Sequence, residues 1–433
     1  MCRPVKSNPA DIWRLGQDAG LPKGSGAEIY RPDLFETIES RIDDLESSLK
    51  ALSLDISDHP ELKFEEFYAH DVLTKYMENH GFAVKRKYIL ETGWEARWSH
   101  GAGGRTIGIN SEMDALPAVG HACGHNLIAI AGVAVALAVK QVLQDKNIPG
   151  TVILLGTPGQ SLSIIKPSTA EEGGHGKVNM LEGGAYAEMH ACLMQVCHPA
   201  PGPPWSGSLS SSLALRQIEA EYHGRTAHAA LAPWEGKNAM DAAVAAYNNI
   251  SLLRQQLKPD NRVQGIITGR GDWAVNVIPD YSKLSSFTVR VSNTCIRAAG
   301  HATGCKVDIQ KAGWCYDLRQ NEGLGEEFAS VFKSKYGPID YTYGIASAST
   351  DFVSAMPALH PGFAIPTEVN GGNHTRAFAA AARTDESHRA CFNVAKTLAA
   401  VGIRVLTDDA YYERVKKTYE EDKAAREKEK QLV

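Results

Sequence analysis

The sequence predicts an α/β protein with a mixed, mostly parallel sheet, helices on both of its faces and an inserted βαββαβ unit. Two observations predict this. Short β-branched runs alternate with helical periods along both flanks of the chain. A Pro/Gly/Ser-rich stretch at Pro199–Ser212 then opens a separate pattern of about a hundred residues before the alternation resumes. The chain has 433 residues with 43% apolar and 22% charged content, ordinary for a globular protein of two or three domains.

Residues 1–33 lack a sustained period and read as an arm. Leu34–Leu52 carries apolar residues at helical spacing, and Glu65–His80 reads as a second helix closed by Gly81. Strands are expected at Ala83–Leu90, Glu95–Trp98 and Thr106–Asn110. Leu127–Gln141 is too long for a buried strand and reads as a helix, whereas Thr151–Thr157 is a buried strand bounded by Pro-Gly on both sides. Ala191–Cys197 reads as one further strand.

In the inserted unit, strands are expected at Leu213–Tyr222, Arg262–Thr268, Lys283–Val291 and Lys306–Lys311, with a helix at Ala239–Leu257. Only Ser292–Cys305 separates the last two strands, room for a helix of two or three turns. The α/β pattern returns from Glu326 to Leu406, and the Lys/Glu-rich Tyr411–Val433 reads as a solvated helix or frayed tail. The expected domains are thus an arm at 1–33, a main domain at 34–205 and 318–410, an inserted domain at 206–317 and a tail at 411–433.

A net charge of −5 gives no global field toward nucleic acid or an anionic membrane, so neither is expected as a partner. The eight cysteines are dispersed, which suits reduced thiols in the cytoplasm. The amino terminus has no apolar stretch of the secretory kind. The most apolar run, Leu127–Val139, is short of the roughly 18–20 residues that span a bilayer.

Chemistry concentrates at Gly-rich turns and strand ends. Ser111–Pro117 (SEMDALP) follows an expected strand, and His121–Asn126 (HACGHN) opens the next helix. Cys123 and His125, two apart in a turn, can reach one metal, and a thiolate with an imidazole suits zinc. The competing reading is a buried cysteine and a helix-capping histidine. Glu171 and Glu172 precede a glycine-rich run; one carboxylate can bind metal while the other acts as a base, or both can be a solvated surface. His198 ends a strand and His374 lies in a turn, where structural histidines are common. His228 and Asn276 fall within the inserted unit and attract no notice alone.

These motifs resemble the aminoacylase/carboxypeptidase-type amidohydrolases, peptidase family M20, and within it the branch with the HACGHN box. That branch includes aminobenzoyl-glutamate hydrolases and the dipeptidases called peptidase domain-containing protein 2. The resemblance covers roughly residues 34–410 and rests on motifs in the family's order: Glu112–Pro117 with His121–Asn126, Ala170–Lys177 (AEEGGHGK), His223–Ala242, Asn276–Tyr281 and Gly371–Thr375.

The resemblance implies a hydrolase of a dipeptide or N-acyl amino acid that uses two divalent metal ions, zinc first, with manganese or cobalt as alternatives. Cys123, His125, Glu172, His198 and His374 match the metal ligands. Glu171 matches the general base, and Asp114 the acid that orients its neighbours. The βαββαβ unit matches the family's lid, which pairs two subunits into a homodimer. His228 matches the lid histidine that stabilises the oxyanion, and Asn276 and Arg290 match positions near the substrate carboxylate.

Two departures stand out. Gly159–Thr169 interrupts the family's Gly-Thr-Pro-Ala-Glu-Glu run, and the second lid helix is short. They motivate a competing expectation, a catalytically impaired homologue acting as a binding or regulatory subunit.

Overall fold

A computed structural model describes residues 29–159, 176–199, 206–257, 262–271, 273–288, 293–315, 317–341 and 355–431. Among them the chain divides into two compact units, one built from 29–159, 176–212 and 318–431, the other from Leu213–Asp317.

The first unit begins with α1 (Pro32–Asp58). Leu34, Ile38, Ile42, Leu45, Leu49, Leu52 and Ile56 recur every three or four residues, so they fall on one face, and that face is buried. Next come α2 (Phe67–Asn79), β1 (Ala83–Arg86), β2 (Trp94–His100) and β3 (Thr106–Glu112). The first strand stops short of the expected Leu90 because Lys87 and Ile89 take positive φ of 52° and 66°, which no strand accommodates.

Three elements then carry the chain to the segment that precedes the predicted Glu171–Glu172 pair and back: α3 (His125–Asp145), β4 (Gly150–Thr157) and α4 (Gly176–Glu182). After them come β5 (Ala191–Leu193), β6 (Val196–Pro199) and β7 (Gly207–Ser208). The single strand expected at Ala191–Cys197 is divided: its first half joins one sheet and its second half another.

The second unit contains β8 (Leu215–His223), α5 (Ala239–Leu252), β9 (Val263–Thr268), β10 (Tyr281–Thr288), α6 (Asn293–Thr303) and β11 (Lys306–Cys315). Its sheet has the order β11-β8-β10-β9, with every neighbouring pair antiparallel. Ala239, Ala242, Ala243, Ala246 and Ile250 of α5, with Ile296 and Ala299 of α6, pack on Ile218, Ala220, Tyr222 and Leu284 of the sheet. Alanines let α5 lie close to the strands. The α5 helix ends at Leu252, before the expected Leu257, and a 3₁₀ turn at Arg254–Gln256 follows.

The chain re-enters the first unit beside its point of departure. Ser212 N donates to Leu318 O at 3.2 Å, and Leu318 N donates to Ser212 Oγ at 3.0 Å. The remaining elements are α7 (Glu322–Lys335), β12 (Ile339–Asp340), β13 (Ala358–Leu359), β14 (Gly362–Ile365), α8 (Arg376–Ala381), α9 (Asp385–Thr407) and α10 (Asp409–Gln431).

The main sheet runs β1-β2-β4-β3-β5-β13; its β4–β3, β3–β5 and β5–β13 pairs are parallel. A smaller sheet, β12-β7-β14-β6, continues beside it. The chain changes sheet twice in parallel, β5 to β6 and β13 to β14. Both faces of the main sheet are covered. Val152 and Leu154 of β4 join the core with α1, α3 and α9, whereas Ile153 and Leu155 face Met180 of α4 and Tyr186. This is the mixed α/β architecture that the sequence predicts.

Two helices, α3 and α9, are long and apolar enough to cross a membrane, but 89% and 78% of their most apolar windows are buried inside the protein. They are core helices. Leu154, fully buried on the central strand, tests this packing: Leu154→Ala should cost about 2–5 kcal/mol, read as a lower urea midpoint with an unchanged slope.

Candidate active site

Parallel strands deliver side chains to their carboxyl ends, and the site lies there. β3 ends at Glu112, and Asp114 follows it into a turn that closes through Leu116 N to Gly120 O at 2.9 Å. Gly124, at the amino end of α3, has φ +79°, and a Cβ there would come within 2.8 Å of Cys197 Cβ. Glycine is thus required both for the left-handed backbone and for the close approach. The tight turn sets Cys123 and His125 on either side of it.

His125 is buried. Its Nδ1 lies 2.9 Å from Asp114 Oδ1, and its Nε2 lies 3.4 Å from Glu112 Oε2. Burial opposes the imidazolium, but Asp114, Cys123 and Glu112 more than offset it and hold the ring well above the ordinary histidine value. Burial pushes the Cys123 thiol up, yet His125 and His374 overcome that and bring it down to about 6. His374 stands in the Gly371–Thr375 turn with φ +69°, an unusual conformation for a side chain of its size. Its N–H donates to Ala122 O at 2.8 Å, which ties the turn to the cysteine-bearing loop. The bond to Cys123, opposed by burial, raises its imidazole.

The structure thus brings Asp114, Cys123, His125 and His374 together. His198 is near in backbone only. Asn373 Nδ2 donates to Cys197 O at 3.2 Å, so the strand carrying His198 borders the His374 turn. The His198 side chain is buried on the other face, with Nε2 at 3.1 Å from Ser208 Oγ and Nδ1 at 3.1 Å from Pro199 O. Among the described residues no group of three or more His, Cys, Asp or Glu side chains is arranged to hold a metal ion. Glu171, Glu172 and Arg290, and all of the Gly159–Thr169 insertion beyond Gly159, lie outside the described residues.

In the second unit, His228 and Asn276 sit on adjoining segments: His228 bridges Val277, and Ala229 N donates to Asn276 O at 2.9 Å. His228 Nδ1 accepts from Ala230 N and Leu231 N at 3.2 and 3.1 Å. That leaves the ring proton on the exposed Nε2, which can only donate.

Three buried charges near the turn were not singled out as site residues, although Glu112 and Lys177 lie inside the quoted motifs. Lys177 of α4 forms an ion pair with Glu112. Glu66, at the amino end of α2, accepts from Thr92 Oγ1 at 2.7 Å and from Gly159 N at 2.8 Å. Burial first, then the charge of Asp114, pushes Glu66 up to about 7. Single acids and a single lysine in charged surroundings look like surface residues until the fold buries them. A cavity of about 420 Å³ lined by Tyr30, Arg31, Arg105 and Asp409 lies instead by the amino ends of β3 and β4, away from this chemistry.

Comparison with known proteins settles the family. The mouse Xaa-Arg dipeptidase is 36% identical over 453 aligned residues, covering 96% of each chain. The chain belongs to the M20 amidohydrolase family. The human Xaa-Arg dipeptidase is 35% identical over 87% of this M20 chain and 90% of its own length. Among solved structures, a Bacillus subtilis dinuclear metal-binding peptidase of the M20 family matches with a TM-score of 0.57 at 16% identity, over 84% of this chain and 99% of that one. No family model matches the sequence. The M20 chain is an enzyme that hydrolyses amide or peptide bonds.

Two outcomes follow from the titrations. In chelator-treated protein, Cys123 should be alkylated by iodoacetamide ahead of Cys192, Cys197 and Cys391, whose thiols burial pushes up, and its rate should rise through about pH 6. Peptide mapping by mass spectrometry reads this. For Glu66, a carboxyl whose folded value is raised contributes fully below its ordinary value, and that contribution is lost as pH rises through about 7. Urea unfolding at about pH 5 and about pH 8 should therefore shift in favour of Glu66→Gln with rising pH, by up to roughly 3 kcal/mol.

Proposed function

We propose that this chain is a metal-dependent dipeptidase that uses two divalent cations, zinc first, with manganese or cobalt as alternatives. The observation that carries this reading is the convergence of Asp114, His125, Cys123 and His374 at the end of β3. The fit is chemical: His125 Nε2 is buried without a hydrogen-bond partner, and Cys123 has the depressed thiol of a ligand. Cys123, His125, Glu172 and His374 would hold the cations; His198, expected among them, turns its ring to Ser208 instead. When bound, they would supply a water acidic enough to act as nucleophile near neutrality.

The chain's own groups do the rest. Asp114, bonded to His125 Nδ1, fixes the tautomer and orientation of that ring. Glu171 takes the proton of the attacking water and returns it to the leaving amine. His228, with its proton on Nε2, donates to the oxyanion. Asn276 and Arg290 contact the substrate carboxylate. In this reading the first unit is the catalytic domain, and Leu213–Asp317, which starts seven residues later than the expected 206 because β7 joins the first unit's sheet, is a lid that also pairs two subunits into a homodimer. Likeness to the Xaa-Arg dipeptidases supports a dipeptide with a basic carboxy-terminal residue as substrate, with an N-acyl amino acid as the broader class. The core positions of α3 and α9 support a soluble enzyme, and the dispersed cysteines a cytoplasmic one.

Glu171→Gln should keep its metal content by elemental analysis while kcat on an Xaa-Arg dipeptide drops by about 10²–10⁴-fold; His374→Ala should lose metal. Unchanged turnover in Glu171→Gln overturns the mechanism.

A further inference from the structure

The buried Lys177–Glu112 ion pair lies at a junction that the mechanism above does not use. Both residues are 1% exposed. Glu112 closes β3, and its second oxygen faces His125 Nε2 at 3.4 Å. His125 therefore has an acid beside each ring nitrogen, Asp114 at Nδ1 and Glu112 at Nε2. Lys177 is the second residue of α4 and directly follows Gly176.

Gly176 marks a closure of the chain on itself. A Cβ there would fall 1.7 Å from Pro158 O, so the backbone leaving β4 and the backbone entering α4 are in direct contact. Gly159, the last described residue on the outgoing side, is bonded to Glu66, and the Phe64 ring packs where its Cβ would lie, 2.7 Å away. The chain thus departs and returns at two fixed, adjacent points. Glu171 and Glu172 precede the return point by only five and four residues.

Stability alone does not account for this lysine and glutamate. A buried ion pair is on average no more stabilising than apolar residues of the same volume, whereas removing one partner is costly. We infer that Lys177 is a positioning residue: its bond to Glu112 orients that carboxylate against His125. This rests on the metal-dependent reading given above.

The test uses the full chain with three readouts: zinc affinity by chelator competition, kcat and KM on an Xaa-Arg dipeptide, and the melting temperature. Lys177→Met should weaken zinc binding about 10–100-fold, lower kcat about tenfold or more with KM changed less than about threefold, and melt earlier. The double variant Glu112→Gln with Lys177→Met removes both charges; it should regain the melting temperature but neither zinc affinity nor kcat. Recovery of all three together would make the pair merely structural and overturn the proposal, as would wild-type affinity and kcat in Lys177→Met. Should the wild-type protein bind zinc and hydrolyse no dipeptide or N-acyl amino acid, the dipeptidase reading fails, while the affinity comparison still decides the role of Lys177.

Discussion

The buried Asp114–His125 bond is the constraint on which the rest of the site depends. An imidazole taken out of water cannot keep a proton without a partner, and an unpaired carboxylate at the same depth is as unfavourable. Each therefore requires the other, and the turn between them must be short and tight enough to let them meet. That requirement places glycine at 124, draws Cys197 against it, and sets Cys123 beside the ring. The parallel strands serve the same end, because only a sheet buried on both faces carries its strand ends into so dry an environment.

Much of this was legible in the residues. The seven-residue apolar stripe of α1 and the β-branched run of β4 each report a local preference that the fold keeps. The Cys123–His125 spacing was legible for the same reason, since a turn two residues long dictates proximity by itself. Contacts that depend on distant pairing were not. Ala191–Cys197 is apolar but for Gln195, which is too little to mark the point where it leaves one sheet for another; that break is imposed by β13 and β14 running alongside.

Orientation was less legible than proximity. His198 borders the His374 turn in backbone, yet its ring turns to Ser208, because adjacent residues of a strand point to opposite faces and Cys197 occupies the inner one. The burial of Glu66, Glu112 and Lys177 was invisible for a complementary reason. Acids and lysines give no sign of burial in sequence, and their roles come entirely from the elements that cover them.

The bond between Ser212 and Leu318, which holds the two ends of the inserted unit side by side, has a consequence for how the protein is made. A ribosome finishes residues 213–317 long before α9 exists, so the insert can acquire its final form while the host sheet still lacks β13 and its covering helix. With its ends fastened together, the early-formed piece spans almost no distance in the host. The late-arriving carboxy-terminal third can dock without having to drag it into place.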